Sequence, residues 1–188
     1  MAHPWRVNDR AVAASPQGTP PQVVTARPER SARTEPVSAY VALGANLGDA
    51  ALAVRQAIAA LSQVPHTHLV QASPLLCSAP FDADGPTYVN AVAHIQTHLN
   101  AVNLLEALQD LEQAAGRTRD YRHAPRTLDL DLLFYGEAQM QSAYLSLPHP
   151  RWQQRAFVLL PLHKLYPDKV SPQMLQAVAD QAAAWLPD

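Results

Sequence analysis

Apolar positions recur along this chain with two periods, and the places where the period changes divide it into elements. Residues 37 to 44, VSAYVALG, form an apolar run with β-branched and aromatic members that stops at Gly44, which predicts a buried strand. Asp49 then stands as an N-cap, and Val54, Ile58 and Leu61 recur at i, i+4 and i+7, so a helix is predicted to about residue 62. Residues 67 to 73 predict a second strand, followed by the Pro- and Asp-containing loop SPLLCSAPFDADGP. From Tyr88 to Thr97 the period returns to two. Val89, Ala91, Ala93 and Ile95 share one face and Tyr88, Asn90, Val92, His94 and Gln96 the other, the pattern of a half-buried strand.

Leu104, Leu105, Leu108, Leu111 and Ala115 make an apolar stripe that ends at Gly116, predicting a helix over 101 to 115 with Gln109 and Glu112 on its polar face. LDLDLLF reads as a further strand, and an amphipathic segment spans about 172 to 186. The order strand, helix, strand, strand, helix, strand is the split arrangement of a ferredoxin-like βαββαβ core. The expected fold is therefore α+β, a mainly antiparallel sheet with helices packed on one face.

Ahead of residue 37 the pattern fails. Residues 1 to 36 hold Pro4, Pro16, Pro20, Pro21, Pro28 and Pro36 and no apolar period, so a disordered or extended N-terminal extension is expected before a single domain at 37 to 188. A secretory segment would need an unbroken apolar stretch, and Arg6, Asn8, Asp9 and Arg10 interrupt it. An organellar leader is harder to dismiss, since Arg outnumbers acid in this segment, although Asp9, Glu29 and Glu35 argue mildly against one. No run approaches the roughly 18 apolar residues of a membrane span. Cys77 is the single cysteine, which excludes an internal disulfide or thiolate cluster and suits a reducing compartment. A soluble, cytoplasmic protein is expected.

Charge sharpens the picture locally. A net charge of −2 offers no global attraction to nucleic acid, yet Arg117, Arg119, Arg122, Arg126, Arg151 and Arg155 crowd between residues 117 and 155. Within that span, strand alternation puts Leu128, Leu130 and Leu132 on one face and Asp129 and Asp131 on the other, about 6.6 to 6.8 Å apart along the chain. Two carboxylates so placed repel unless a cation or proton lies between them, and a pair of Mg²⁺ ions would relieve the repulsion while leaving sites for phosphate. A solvated strand face and a solvated basic loop account for the same residues taken singly. The guanidinium forks match phosphate oxygens, so the combination suits an anionic ligand such as a triphosphate. LGANLGD brings Gly44 and Gly48 around Asn46 at a strand-to-helix turn, but no Gly-Lys-Ser/Thr follows and it is not a P-loop. Tyr88 and Asn90 on one strand face could stack and hydrogen-bond a flat heterocycle, or the tyrosine could pack in the core.

Taken together, ALGANLGD, GPTYVNAV, GRTRDYRHAPRTLDLDLLFYG and LPHPRWQQRAFVLLPL resemble the 6-hydroxymethyl-7,8-dihydropterin pyrophosphokinase family of folate biosynthesis, over roughly residues 38 to 186. The resemblance implies transfer of pyrophosphate from ATP to the hydroxymethyl oxygen of the pterin, releasing AMP. It implies that Asp129 and Asp131 hold two Mg²⁺ ions. Gln109, Glu112, Arg117, Arg119, Arg126, Leu132, His149 and Arg155 match ATP-site positions, Arg117 and Arg126 meeting charge on the transferred group. Ser78, Ala79, Pro80, Phe81, Tyr88, Asn90, His123 and Phe157 match the pterin pocket, with the ring between Tyr88 and Phe157. The chain departs from the commoner pattern at Leu76, Cys77, His123, Ala124, Tyr144 and Pro150; many members carry Trp where His123 stands. Partners implied are the two small molecules, with neither nucleic acid nor membrane, and a monomer suffices. From the acid pair alone, a Mg²⁺-dependent phosphohydrolase remains open, as does a nucleotide-binding module without turnover.

Overall fold

The computed structural model of the protein describes residues 32–80, 86–116 and 128–187. Its main sheet is antiparallel and contains β1 (Ala32–Ala45), β2 (Thr67–Ala72), β3 (Leu76–Ser78), β4 (Tyr88–Leu99), β5 (Asp129–Tyr135) and β8 (Ala183–Trp185). The path runs β5-β1-β4-β3-β8, and β2 also pairs with β4. A small hairpin of β6 (Met140–Gln141) and β7 (Ser146–Leu147) stands apart.

Helices α1 (Ala50–Leu61) and α2 (Ala101–Ala114) lie on one face, as the alternation predicts. Asp49 caps α1 by accepting the Leu52 amide at 2.9 Å, and Asn100 caps α2 through Asn103 at 2.9 Å. Between helices and sheet lies the larger core, with Val41, Leu43, Ala91, Ala93, Ile95, Leu130 and Leu132 supplied by the strands. The antiparallel sheet and the βαββαβ core of β1, α1, β2, β4, α2 and β5 are those expected from sequence, and the short β3, in the stretch expected to be a loop, is added between β2 and β4.

The second face of the sheet is where the alternation said too little. Helix α3 (Ala156–Leu165) covers it, packing Val158, Leu159 and Leu162 against Tyr40, Ala42, Val92 and Leu133. Strand β4 is therefore buried on both faces over most of its length rather than half-buried. A register shift between Tyr40 and Val41 in the pairing with β5 puts two successive residues, Leu133 and Phe134, on the α3 side, after which Tyr135 returns to the core under α1 and α2.

Two boundaries also differ. Residues 32 to 36, read as part of the extension, continue β1: Ala32 pairs with Leu99, and the irregularity before Val37 accommodates Pro36, which has no amide to give the ladder. The 172 to 186 segment is helical only at α4 (Pro172–Gln176). Its end becomes β8, because the edge of β3 offers unpaired backbone groups.

Candidate active site

The site begins at one end of the α3 face, where β5, β1 and β4 lie side by side. Gly44 is paired with Asp129 on one side and Asn90 on the other, and Ala42 likewise separates Asp131 from Val92. Gly44 puts no side chain between Asp129 and Asn90, while Ala42, beside Asp131, is covered by α3. A Cβ on Gly44 would come 3.1 Å from the Asn90 Oδ1, so this glycine is required by an approach of the amide itself. Leu128, Leu130 and Leu132 are buried and the two aspartates are partly exposed, as period-two alternation requires.

Asp131 is held from across the cleft. Arg155 Nη1 donates to its Oδ2 at 2.9 Å, and His149 Nε2 lies 3.8 Å from the same oxygen. The His149 Nδ1 accepts the Arg151 amide at 3.2 Å, which leaves Nε2 carrying the proton of the neutral ring and aims it at Asp131. Burial pushes the His149 pKa down, with Arg155 and Arg151 adding to the effect and Asp131 and Asp129 opposing it. The guanidinium of Arg155 also stacks over Phe157, 5.4 Å from the ring centre, so the metal-side and heterocycle-side candidates share one residue.

On the other flank, Asn90 is buried and its Nδ2 donates to Ser78 Oγ at 3.0 Å and toward the Leu76 carbonyl at 3.4 Å. Its Oδ1 faces Gly44. Ser78 is opposite Tyr88 in the β3–β4 pairing, and Ala79 and Pro80 follow directly. Asn46, buried in the turn after β1, lies 3.5 Å from the Pro86 carbonyl and ties that turn to the approach of β4.

Other candidates lie further away. Leu132 sends its side chain into the opposite core, leaving only its backbone at the outer edge of β5. Glu112 is buried and accepts the Leu130 amide at 2.8 Å, fastening α2 to that edge, a link that helical spacing gave no means to foresee. Gln109 is half-buried on the same helix. Among the departures, Leu76 is buried and Tyr144 is 54% exposed, on the β6–β7 turn rather than in the cleft. Phe81, Arg117, Arg119, Arg122, His123, Ala124 and Arg126 lie outside the described residues.

The donor set fits Mg²⁺. Both ligands offered are carboxylates, and among the described residues no group of three or more His, Cys, Asp or Glu side chains converges as a closed cage would require. Mg²⁺ binds through one or two carboxylates and takes its remaining oxygens from phosphate and water. Such a site suits transfer of a phosphoryl-type group, a reaction that asks for alignment and charge neutralisation.

Comparison with known proteins identifies a family. The family model for 7,8-dihydro-6-hydroxymethylpterin-pyrophosphokinase (HPPK) matches residues 40–167. The 2-amino-4-hydroxy-6-hydroxymethyldihydropteridine pyrophosphokinase of Pseudomonas aeruginosa is 48% identical over 130 residues, 69% of this chain and 80% of that protein. The Haemophilus influenzae protein of the same name is 43% identical over 137 residues, 72% of this chain and 86% of its own. In three dimensions, wild-type Plasmodium falciparum HPPK-DHPS solved with pterin and p-hydroxybenzoate aligns with a TM-score of 0.57 at 13% identity, over 73% of this chain. The aligned part spans 41% of that longer chain, so this likeness bears on the fold.

Proposed function

The chain belongs to the 7,8-dihydro-6-hydroxymethylpterin-pyrophosphokinase family, a family of folate-synthesis enzymes, and on that premise we propose that it moves the terminal pyrophosphate of ATP to the hydroxymethyl oxygen of 6-hydroxymethyl-7,8-dihydropterin, releasing AMP. The observation that carries this reading is the meeting, at one end of the sheet, of an aspartate pair with an Arg–His–Phe cluster and a buried asparagine. These are separate requirements of the two substrates, and Gly44 alone stands between Asp129 and Asn90 in the strand pairing.

Asp129 and Asp131 hold Mg²⁺ in this reading, which when bound neutralises the triphosphate and supplies Lewis-acid charge at the transferred group. Arg155, whose guanidinium reaches Asp131, would also meet the oxygens of the polyphosphate. His149, kept neutral by burial, is a hydrogen-bond donor at Nε2 without adding a charge. Arg117, Arg119 and Arg126 complete the anion site, Arg117 and Arg126 against the charge that develops on the pyrophosphoryl group. Gln109, Glu112 and the Leu132 backbone border the nucleotide at the outer edge of β5.

Asn90 reads the pterin edge, with Ser78 fixing its amide orientation, and Tyr88 and Phe157 take the ring between them. By resemblance to the family, Ala79, Pro80, Phe81 and His123 belong to the pterin pocket as well. Every group named belongs to one chain, which is consistent with a monomer acting on small molecules. The unpaired Cys77 suits a cytoplasmic setting, and among the described residues no helix is long and apolar enough to cross a membrane.

Calorimetric titration tests the reading, with a non-hydrolysable ATP analogue and the reduced pterin added in either order in the presence of Mg²⁺. Binding of both ligands with mutual enhancement is expected. Nucleotide binding with no pterin binding would reduce the protein to a nucleotide-binding module, and in a parallel incubation with ATP itself, release of inorganic phosphate without pterin would make it a hydrolase.

A further inference from the structure

Helix α3 begins without a side-chain cap of its own. Its N-cap residue is Arg155, whose guanidinium has donors only and makes no capping hydrogen bond. The first amide of the helix is satisfied from a distance: Ala156 N–H donates to Gln181 Oε1 at 2.8 Å. The same side chain turns its Nε2 to the Gln154 carbonyl at 2.9 Å. One amide group thus grips the backbone on both sides of Arg155, the residue that reaches Asp131 and lies over Phe157.

From Gln181 the chain runs directly to the opposite flank of the cleft. The Ala182 carbonyl accepts the Ala79 amide at 3.1 Å, and the next three residues pair as β8 with β3, Ala183 opposite Ser78 and Trp185 opposite Leu76. Leu186 N–H then donates to the Leu75 carbonyl at 2.9 Å. Ser78, so fixed, is the partner of the Asn90 amide. Ala184 is exposed and Trp185 is 44% exposed, while Leu186 packs against the larger core, so the strap is held by that anchor and by its hydrogen bonds.

We propose that residues 181 to 186 set the spacing between the two halves of the active site, with Gln181 as the positioning residue. One end fixes Arg155 and Phe157, and the other fixes Ser78 and Ala79. This inference rests on the pyrophosphokinase reading above, and it adds to that site a segment beyond residues 40–167 of the family match. Because Gln181 touches neither substrate, its effect is on alignment, and misplacing a reacting group is costly.

The test compares the unaltered chain with Gln181→Met, which removes both hydrogen bonds at nearly constant volume, and with Gln181→Glu, which keeps an acceptor for the Ala156 amide. Gln181→Met is expected to lower kcat about tenfold and raise the pterin KM, with faster amide exchange at Ala156 and native circular dichroism. Gln181→Glu is expected to recover part of kcat and of the Ala156 protection, which a loss of general stability would not do. If Ala156 exchange rises in Gln181→Met while kcat and the pterin KM stay within about twofold of the unaltered chain, the strap has no positioning role. If the unaltered chain itself yields no pterin diphosphate, the pyrophosphokinase reading falls, and the strap's role with it.

Discussion

Asp131 shows how much a single side chain carries in this site. Its Oδ2 meets a guanidinium at 2.9 Å, and it shares a strand face with Asp129 while the adjacent leucines anchor the strand. Because the acids project away from the helix-side core, Asp129→Ala and Asp131→Ala are each expected to cut turnover by about 100-fold or more with the far-ultraviolet circular dichroism unchanged. Near-normal rates in either variant, measured at saturating Mg²⁺, would remove that residue from the metal site. The pair was legible from sequence because strand alternation acts between neighbours. The contact of Asp131 with Arg155 was not, since 24 residues separate them and only the fold closes that gap. Family resemblance named Arg155 and His149 for the nucleotide but gave no hint that they converge on the same carboxylate oxygen.

At the scale of elements, β1 is placed by what it lacks. Gly44→Ala is expected to push the Asn90 amide aside by a few tenths of an ångström, because the added methyl would stand 3.1 Å from its oxygen. A several-fold rise in the pterin KM with little change in the ATP KM would confirm that Asn90 serves the heterocycle, and unchanged values for both would contradict it. The outer edge of β5 offers a separate test. Removing Glu112 leaves the buried Leu130 amide without that acceptor, so Glu112→Ala is expected to lose about 1–3 kcal/mol of stability with no nucleotide present, and Glu112→Gln less. Denaturant titration of the three proteins checks this, and equal midpoints would contradict it. Strands β1, β2, β4 and β5 and the first two helices were legible because their apolar positions repeat with a regular period, whereas β3 lies in the stretch SPLLCSAPFDADGP, which has none. Helix α3 was not: AFVLLPL is apolar on every side and contains Pro161, so its period carried no signal, although Val158, Leu159 and Leu162 are fully buried. The fate of residues 183 to 185 depended on an unpaired strand edge elsewhere in the chain, which no local pattern records.

For the molecule as a whole, the far end of the α3 face holds a polar cluster within an otherwise apolar layer. His94 is stacked on Tyr40 at 4.7 Å, meets Ser38 Oγ at 3.1 Å through Nε2, and hydrogen-bonds the Tyr166 hydroxyl through Nδ1. Lys169 lies over the Tyr40 ring. Burial, and then the charge of Lys169, push the His94 pKa below its usual 6.5. The unfolded chain therefore binds a proton at this histidine more readily than the folded one as pH falls through about 6.5, and stability is lost on the acid side of that value. His94→Gln should flatten, without abolishing, the fall in unfolding free energy between about pH 7.5 and pH 5.5, since His149 is shifted in the same direction. An unchanged slope would place the acid sensitivity elsewhere.

Whether two carboxylates and a heterocycle pocket on one sheet end serve pyrophosphate transfer can be read from the path of a single phosphorus atom. ATP isotopically labelled at its β-phosphorus, incubated with the protein, Mg²⁺ and 6-hydroxymethyl-7,8-dihydropterin, is expected to give AMP and pterin diphosphate in equal amounts with all the label on the pterin. Label retained in ADP, or appearing as inorganic phosphate or pyrophosphate with no pterin product, would contradict that transfer.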